Sequence, residues 1–205
     1  MKHITALTLA ALMGTTAAPA LAQSQGDMLL GLGLHGVIPK DNNGVLANGT
    51  IPIDVDENIR PSVTFEYFVA DNIGIEVLAA WPFEHDINSG GTRIGEIKHL
   101  PPTVSLQYHF SNASNVTPFI GAGLNYTFFF DETAKGPIAG NQLSLDDSWG
   151  VALHAGADFA ISESASLRAD VRWIDIESDV KLNGQKIGKA KIDPWVVGLA
   201  YVVKF

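Results

Sequence analysis

Pro118-Phe119-Ile120-Gly121-Ala122-Gly123-Leu124-Asn125-Tyr126-Thr127-Phe128-Phe129-Phe130 sets the frame for the whole chain. Its even positions Ile120, Ala122, Leu124, Tyr126, Phe128 and Phe130 are apolar, and Gly121, Gly123, Asn125 and Thr127 between them are small or polar. Strand side chains alternate between two faces, so this period of two predicts a strand with one greasy face.

The same period recurs on either side. Upstream, Met28–Ile38 carries Met28, Leu30, Leu32, Leu34 and Ile38 on one face, and Pro61–Val69 alternates Val63, Phe65, Tyr67 and Val69 with Ser62, Thr64 and Glu66. Ile73–Phe83 sets Ile73, Ile75, Val77, Ala79, Trp81 and Phe83 against Gly74 and Glu76, and Pro102–Phe110 sets Val104, Leu106, Tyr108 and Phe110 against Thr103, Ser105, Gln107 and His109. Downstream, Ser148–Ile161, Leu167–Trp173 and Trp195–Phe205 follow the same rule. The prediction is eight strands and no helix.

The connections alternate as well. Long polar segments follow the odd strands, at 39–60, 84–99, 131–147 and 177–191, whereas 70–72, 111–117 and 162–164 are short. Consecutive strands are therefore antiparallel hairpins with every long loop at one end. An even number of roughly ten-residue strands with that asymmetry is the pattern of an outer-membrane barrel. Closure follows from the solvent, because an open sheet edge in lipid leaves backbone N–H and C=O groups without partners. Trp81, Trp149, Trp173 and Trp195 fall near the long-loop ends on the greasy faces, and Tyr67, Tyr108, Phe110, Phe159, Tyr201 and Phe205 near the short-turn ends. These are the two interfacial aromatic belts of such a barrel. A soluble lipocalin-like barrel is the competing all-β architecture, but it would turn the greasy faces inward and leave both belts accidental.

Composition narrows the function. The 205 residues carry 13 Lys+Arg against 22 Asp+Glu, a net charge of −9, which argues against nucleic acid as a partner. With no cysteine there is no disulfide framework, thiolate metal site or cysteine nucleophile. Lys2, the apolar run Ile4–Met13 and Ala20-Leu21-Ala22 before Gln23 read as a cleaved secretory signal, so 1–22 is expected to be leader and 23–205 the barrel. The expected destination is the Gram-negative outer membrane.

Several segments resemble the OmpW family of outer-membrane proteins. They are Asp71-Asn72-Ile73-Gly74-Ile75-Glu76, Pro82-Phe83, His99-Leu100-Pro101-Pro102-Thr103, Pro118 to Thr127, Asp147-Ser148-Trp149-Gly150 and Asp193-Pro194-Trp195, with a terminal Phe205. The resemblance implies a narrow, largely apolar interior that passes small hydrophobic molecules and releases them sideways into the bilayer. It implies no enzymatic step and no cofactor. Tyr201, Val203 and Phe205 resemble the terminal signal read by the barrel-assembly machinery, and outer-membrane lipid and lipopolysaccharide are the implied surroundings.

By strand parity Leu78 and Phe68 face the lumen, as a hydrophobic path or as interior filling. Arg168, Asp170 and Arg172 line one inner face, where the family has an apolar residue near the position of Arg172. Inward charges must be paired or hydrated, so they are expected to form a salt-bridged plug with Glu66, Glu76 or Asp158. Such a plug supports a competing reading, a closed barrel that acts through acidic outer loops such as Asp54-Val55-Asp56-Glu57 and Asp146-Asp147. Those carboxylates are candidates for Ca²⁺ or Mg²⁺ bridging lipopolysaccharide phosphates, without the spacing of a calcium loop. His35, His109 and His154 also point inward, and with Ser105 and Asp158 they offer the residue types of a lipid hydrolase. Gly31-Leu32-Gly33-Leu34-His35-Gly36 matches a dinucleotide fingerprint letter for letter, but it lies within a strand pattern and lacks the helix that motif needs.

Overall fold

The computed structural model describes residues 23–205. The leader expected at 1–22 lies outside them. Eight long strands form the barrel: β1 (Met28–Ile38), β2 (Asn58–Ala70), β3 (Ile73–Ala80), β4 (Thr103–His109), β5 (Val116–Ala134), β6 (Ser148–Ser162), β7 (Ala165–Ile174) and β8 (Trp195–Lys204). Each is antiparallel to its neighbours in sequence, and β1 also pairs with β8 from Leu29↔Lys204 to Ile38↔Trp195, so the sheet closes. The last residue completes the seam, for the Phe205 N–H donates to the Met28 carbonyl at 3.0 Å and the Met28 N–H to the Phe205 carbonyl at 3.3 Å.

Burial is inverted relative to a soluble protein. Leu32, Leu34, Leu106, Leu124, Leu153 and Leu199 are each more than half exposed, whereas Arg168 and Arg172 are at most 1% exposed. A contiguous apolar belt with charges inside is stable only where the surroundings are hydrocarbon. Among the described residues no helix is long and apolar enough to cross a membrane.

The glycines of the apparent dinucleotide motif lie in β1, facing the crowded interior or packed against neighbouring strands. A Cβ on Gly33 would collide with the Leu199 carbonyl and Ala200 of β8, so the close approach of two strands holds that position at glycine.

The long connections depart from the loops expected of them. Phe83–Ser89 and Thr92–Leu100 form one hairpin, and Glu177–Leu182 and Gln185–Lys191 form another. Their two-residue turns, Gly90-Gly91 and Asn183-Gly184, have all four φ angles positive, as a type I′ turn requires. Thr92–Leu100 also pairs with the upper half of β5, from Phe128↔Leu100 to Ala134↔Gly95. The second hairpin joins Leu143–Leu145, Val45–Leu46 and Ile51–Pro52 in a separate five-stranded sheet. A single turn of 3₁₀ helix, Gly136–Ile138, is the departure from the prediction of no helix. The two sheets enclose an apolar core that includes Leu46, Ile53, Phe83, Ile87, Ile97, Phe129, Leu143, Leu145, Val180 and Ile192. Val37, Ala152, Ile174 and Val196 on the barrel's inner rim belong to the same core. The long-loop end is therefore a packed cap continuous with the barrel mouth.

Candidate functional site

The interior is stratified, and strand register gives the order. Up β2 and β3 from the short-turn end, the facing pairs are Phe68↔Gly74, Glu66↔Glu76, Thr64↔Leu78 and Ser62↔Ala80. At the bottom, Phe68 packs with Leu29, Ala200 and Val202 in a small apolar cluster.

Arg168 on β7 reaches across the lumen above it. Its Nε and Nη2 donate to the two oxygens of Asp158 at 2.7 and 2.8 Å, Nη1 to Glu76 Oε2 at 2.8 Å and Nη2 to Glu66 Oε2 at 3.1 Å. His109 Nε2 lies 2.8 Å from the other oxygen of Glu66. The guanidinium carbon sits 4.6 Å from the centroid of Phe119, whose ring face adds a cation–π contact. One turn of the ladder higher, Arg172 bonds Asp170 through Nε at 2.7 Å and meets Glu76 Oε1 at 2.7 Å. Asp170 also faces His35 Nε2 at 3.4 Å, and His35 Nδ1 lies 2.7 Å from Ser62 Oγ. Two guanidiniums thus stand against four carboxylates, with the imidazoles of His109 and His35 beside the excess. All four carboxylates are buried, so the knot fills the lumen where a continuous passage would run. Leu78 and Phe68 lie on opposite sides of it and share no path.

The hydrolase constellation is not assembled. Ser105 Oγ makes no hydrogen bond, and His154 Nδ1 is 4.0 Å from Glu76. The serine, histidine and aspartate that do come together are Ser62, His35 and Asp170, a set the sequence reading missed. Asp170 is held by Arg172, and all three side chains are buried in the plugged lumen, so the grouping braces the plug.

Above Leu78 the wall changes. The β3–β4 ladder ends at Leu78↔Thr103, and pairing resumes only at Phe83↔His99 in the outer hairpin. Among the described residues no backbone hydrogen bond spans 79–82 and 100–102. Pro101 and Pro102 have no N–H to give. The far side of each segment is held, because the Trp81 N–H donates to the Pro61 carbonyl at 2.8 Å and Asn125 Nδ2 lies 3.1 and 3.2 Å from the carbonyls of Pro101 and Pro102. A gap in the hydrogen-bonded wall therefore opens at the junction of barrel and cap.

The cap holds a cavity of about 20 Å³ lined wholly by apolar groups, among them Leu46, Ile53, Ile87, Ile97, Leu143 and Ile192. His85 and His99 stand beside it. Burial lowers the basicity of His85 against the opposing pull of Asp56 and Asp86, with Arg60 adding to the lowering; burial and then His85 hold His99 well below the usual imidazole range. Depressed values stabilise the fold above the unfolded value, and that contribution is lost as pH falls through the folded one. Acidification below about pH 6.5 is expected to loosen the 83–100 hairpin. Its amide hydrogen exchange, corrected for intrinsic rate, should speed up between pH 7.5 and pH 5; unchanged protection would contradict this.

A closed, lipid-belted barrel of eight strands with a salt-bridged lumen is a small outer-membrane barrel protein. Residues 24–205 match the OmpW family model, and the chain belongs to that family, whose members are non-enzymatic. It is 40% identical to outer membrane protein W of Vibrio cholerae over 96% of this chain and 97% of that one. The crystal structure of OprG from Pseudomonas aeruginosa superposes with a TM-score of 0.80 at 31% identity, covering 91% of this chain and 99% of that one. The dibenzothiophene metabolism operon protein PahQ of Pseudomonas aeruginosa is 26% identical over 72% of each chain.

Proposed function

We propose that the protein admits small apolar solutes through the cap and releases them into the bilayer through the gap between β3 and β4, with no chemical step. The observation that carries this reading is an apolar cap core that continues onto the barrel's inner rim above a charge-filled lumen, with an interruption in the wall at the junction. A solute that parts this core toward the rim has buried ionic groups ahead of it in the lumen and hydrocarbon beyond the gap, and desolvation favours the side exit. PahQ, a relative, carries dibenzothiophene metabolism in its name, and that compound is itself an apolar aromatic. Leu78 is the sill of the exit on this reading. Tyr201, Val203 and Phe205 serve as the signal for the assembly machinery, and lipopolysaccharide surrounds the cap.

The test is the initial uptake rate of labelled naphthalene in a deletion strain carrying wild type or Leu78→Asp at equal levels of folded surface barrel. Wild type is expected to raise the rate severalfold over the deletion, and Leu78→Asp to lose most of that gain because it places a charge at the sill. Equal rates for the two would sink the route. The filled lumen also favours a second reading, an interaction barrel acting through its cap. On that reading wild type leaves uptake at the deletion level, and removing the Glu177–Lys191 hairpin abolishes surface binding instead.

A further inference from the structure

His85 and His99 are almost completely buried, at 1% and 0% exposure. Their rings lie parallel, 4.9 Å between centroids and 6° apart, with Phe83 stacked on His99 and Phe129 tilted against it. His85 Nδ1 is 2.5 Å from the carbonyl oxygen of Asp56. A carbonyl only accepts, so Nδ1 carries the proton and Nε2 is left as an acceptor. That Nε2 has no partner, and neither ring nitrogen of His99 has one.

A buried imidazole without hydrogen bonds forfeits the hydration of a donor and an acceptor, a loss that a leucine would avoid. Its presence in an apolar core therefore calls for a ligand group. The pair does not suit one metal ion, because lone pairs in parallel planes run side by side and do not converge at the ~2.0–2.1 Å of a metal–imidazole bond. A hydroxyl does suit it, accepting from the one N–H of His99 and donating to a bare ring nitrogen. The apolar remainder of such a molecule has its place next door. His85 faces Ile97 in register, Ile87 and Ile97 line the apolar cavity, and His85 and His99 each lie two residues from one of them on the same inward face.

We propose that His85 and His99 form a head-group site that reads a single uncharged hydroxyl on an aliphatic solute, whose tail parts the isoleucines and leucines of the cap core. The protein then favours long-chain alcohols over alkanes of equal length. This rests on the apolar-uptake reading above and names its preferred solute class. Burial, which holds both rings neutral, fits an uncharged head group, since a carboxylate would enter the core without a cation to meet it.

The experiment compares initial uptake of labelled 1-decanol and decane in the deletion strain carrying wild type or His99→Leu at matched levels of folded barrel. Wild type is expected to accelerate decanol more than decane, and His99→Leu to cut the decanol gain about fivefold, the worth of one hydrogen bond, with decane unchanged. A parallel measurement on wild type in lipid nanodiscs follows the imidazole ¹⁵N resonances of His85 and His99, which should shift with decanol and not with decane. This second arm decides the matter if the variant folds poorly. Equal effects of His99→Leu on both solutes, or resonances indifferent to decanol, would mean a packed imidazole or a bridging water only and would overturn the site while apolar uptake stands. If wild type accelerates neither solute, the uptake reading fails and the head-group site falls with it.

Discussion

Replacing Arg168 with methionine is expected to destabilise the barrel by about 3–5 kcal/mol, the cost of leaving buried carboxylates without their cation. Arg168 is the shared partner of Asp158, Glu76 and Glu66, and His109 and Arg172 meet the opposite oxygens of Glu66 and Glu76. Among the described residues, of the oxygens Arg168 would abandon only Asp158 Oδ2 has another group near it, His109 Nδ1 at 3.8 Å. The gross Coulomb attraction is not what the variant measures. The loss comes from three desolvated anions that remain. Converting them as well, with Glu66→Gln, Glu76→Gln and Asp158→Asn, should recover most of the loss, since neutral amides carry no buried charge. Urea unfolding of barrels refolded in lipid vesicles, followed by the fluorescence of the four tryptophans, checks both variants. A single-variant loss under about 1 kcal/mol, the range of an exposed pair, would show that the knot is hydrated.

The second large effect concerns the wall. A barrel with Ala79→Cys and Pro102→Cys is expected to lose its facilitated uptake of naphthalene when oxidised, falling to the deletion-strain rate, and to regain it on reduction. The ladder ends at Leu78↔Thr103, and its register continued by one step would set residues 79 and 102 against each other, on the lipid-facing side by strand parity, so the cross-link would close the gap at its lower edge. The natural chain has no cysteine, so the introduced pair holds the only thiols and single-cysteine barrels serve as controls. Uptake that survives cross-linking would place the exit elsewhere in the wall.

The barrel was legible because lipid enforces a strict two-residue period and because Trp81, Trp149 and Trp195 mark its limits. Arg168, Asp170 and Arg172 stood out as charges on an inner face for the same reason. What parity omits is the stagger between distant strands. It puts Arg168 inside without saying that its guanidinium meets Glu66 and Glu76 across the lumen, or that Phe68 and Leu78 end up on opposite sides of that contact. The cap was hidden differently. In Phe83, His85, Ile87 and again in Ile97, His99, imidazoles occupy core positions, so the alternation reads as polar and the segment as loop. Gly90-Gly91 and Asn183-Gly184 were the available signals, being dipeptides suited to a two-residue hairpin turn. Ser62, His35 and Asp170 come from three strands, and only the closed ring unites them.

The seam between Met28 and Phe205 has a bearing on timing. A ring whose first and last strands are each other's partners cannot close until β8 has been delivered to β1, so every earlier stage carries two unsatisfied edges. Such edges recruit other strands, and the contacts that remove them are the most distant in sequence and hence slow to form. Losing Phe205 alone would take away the last rung of that seam and leave the pairs from Leu29↔Lys204 to Ile38↔Trp195 to commit the chain to a single closed copy.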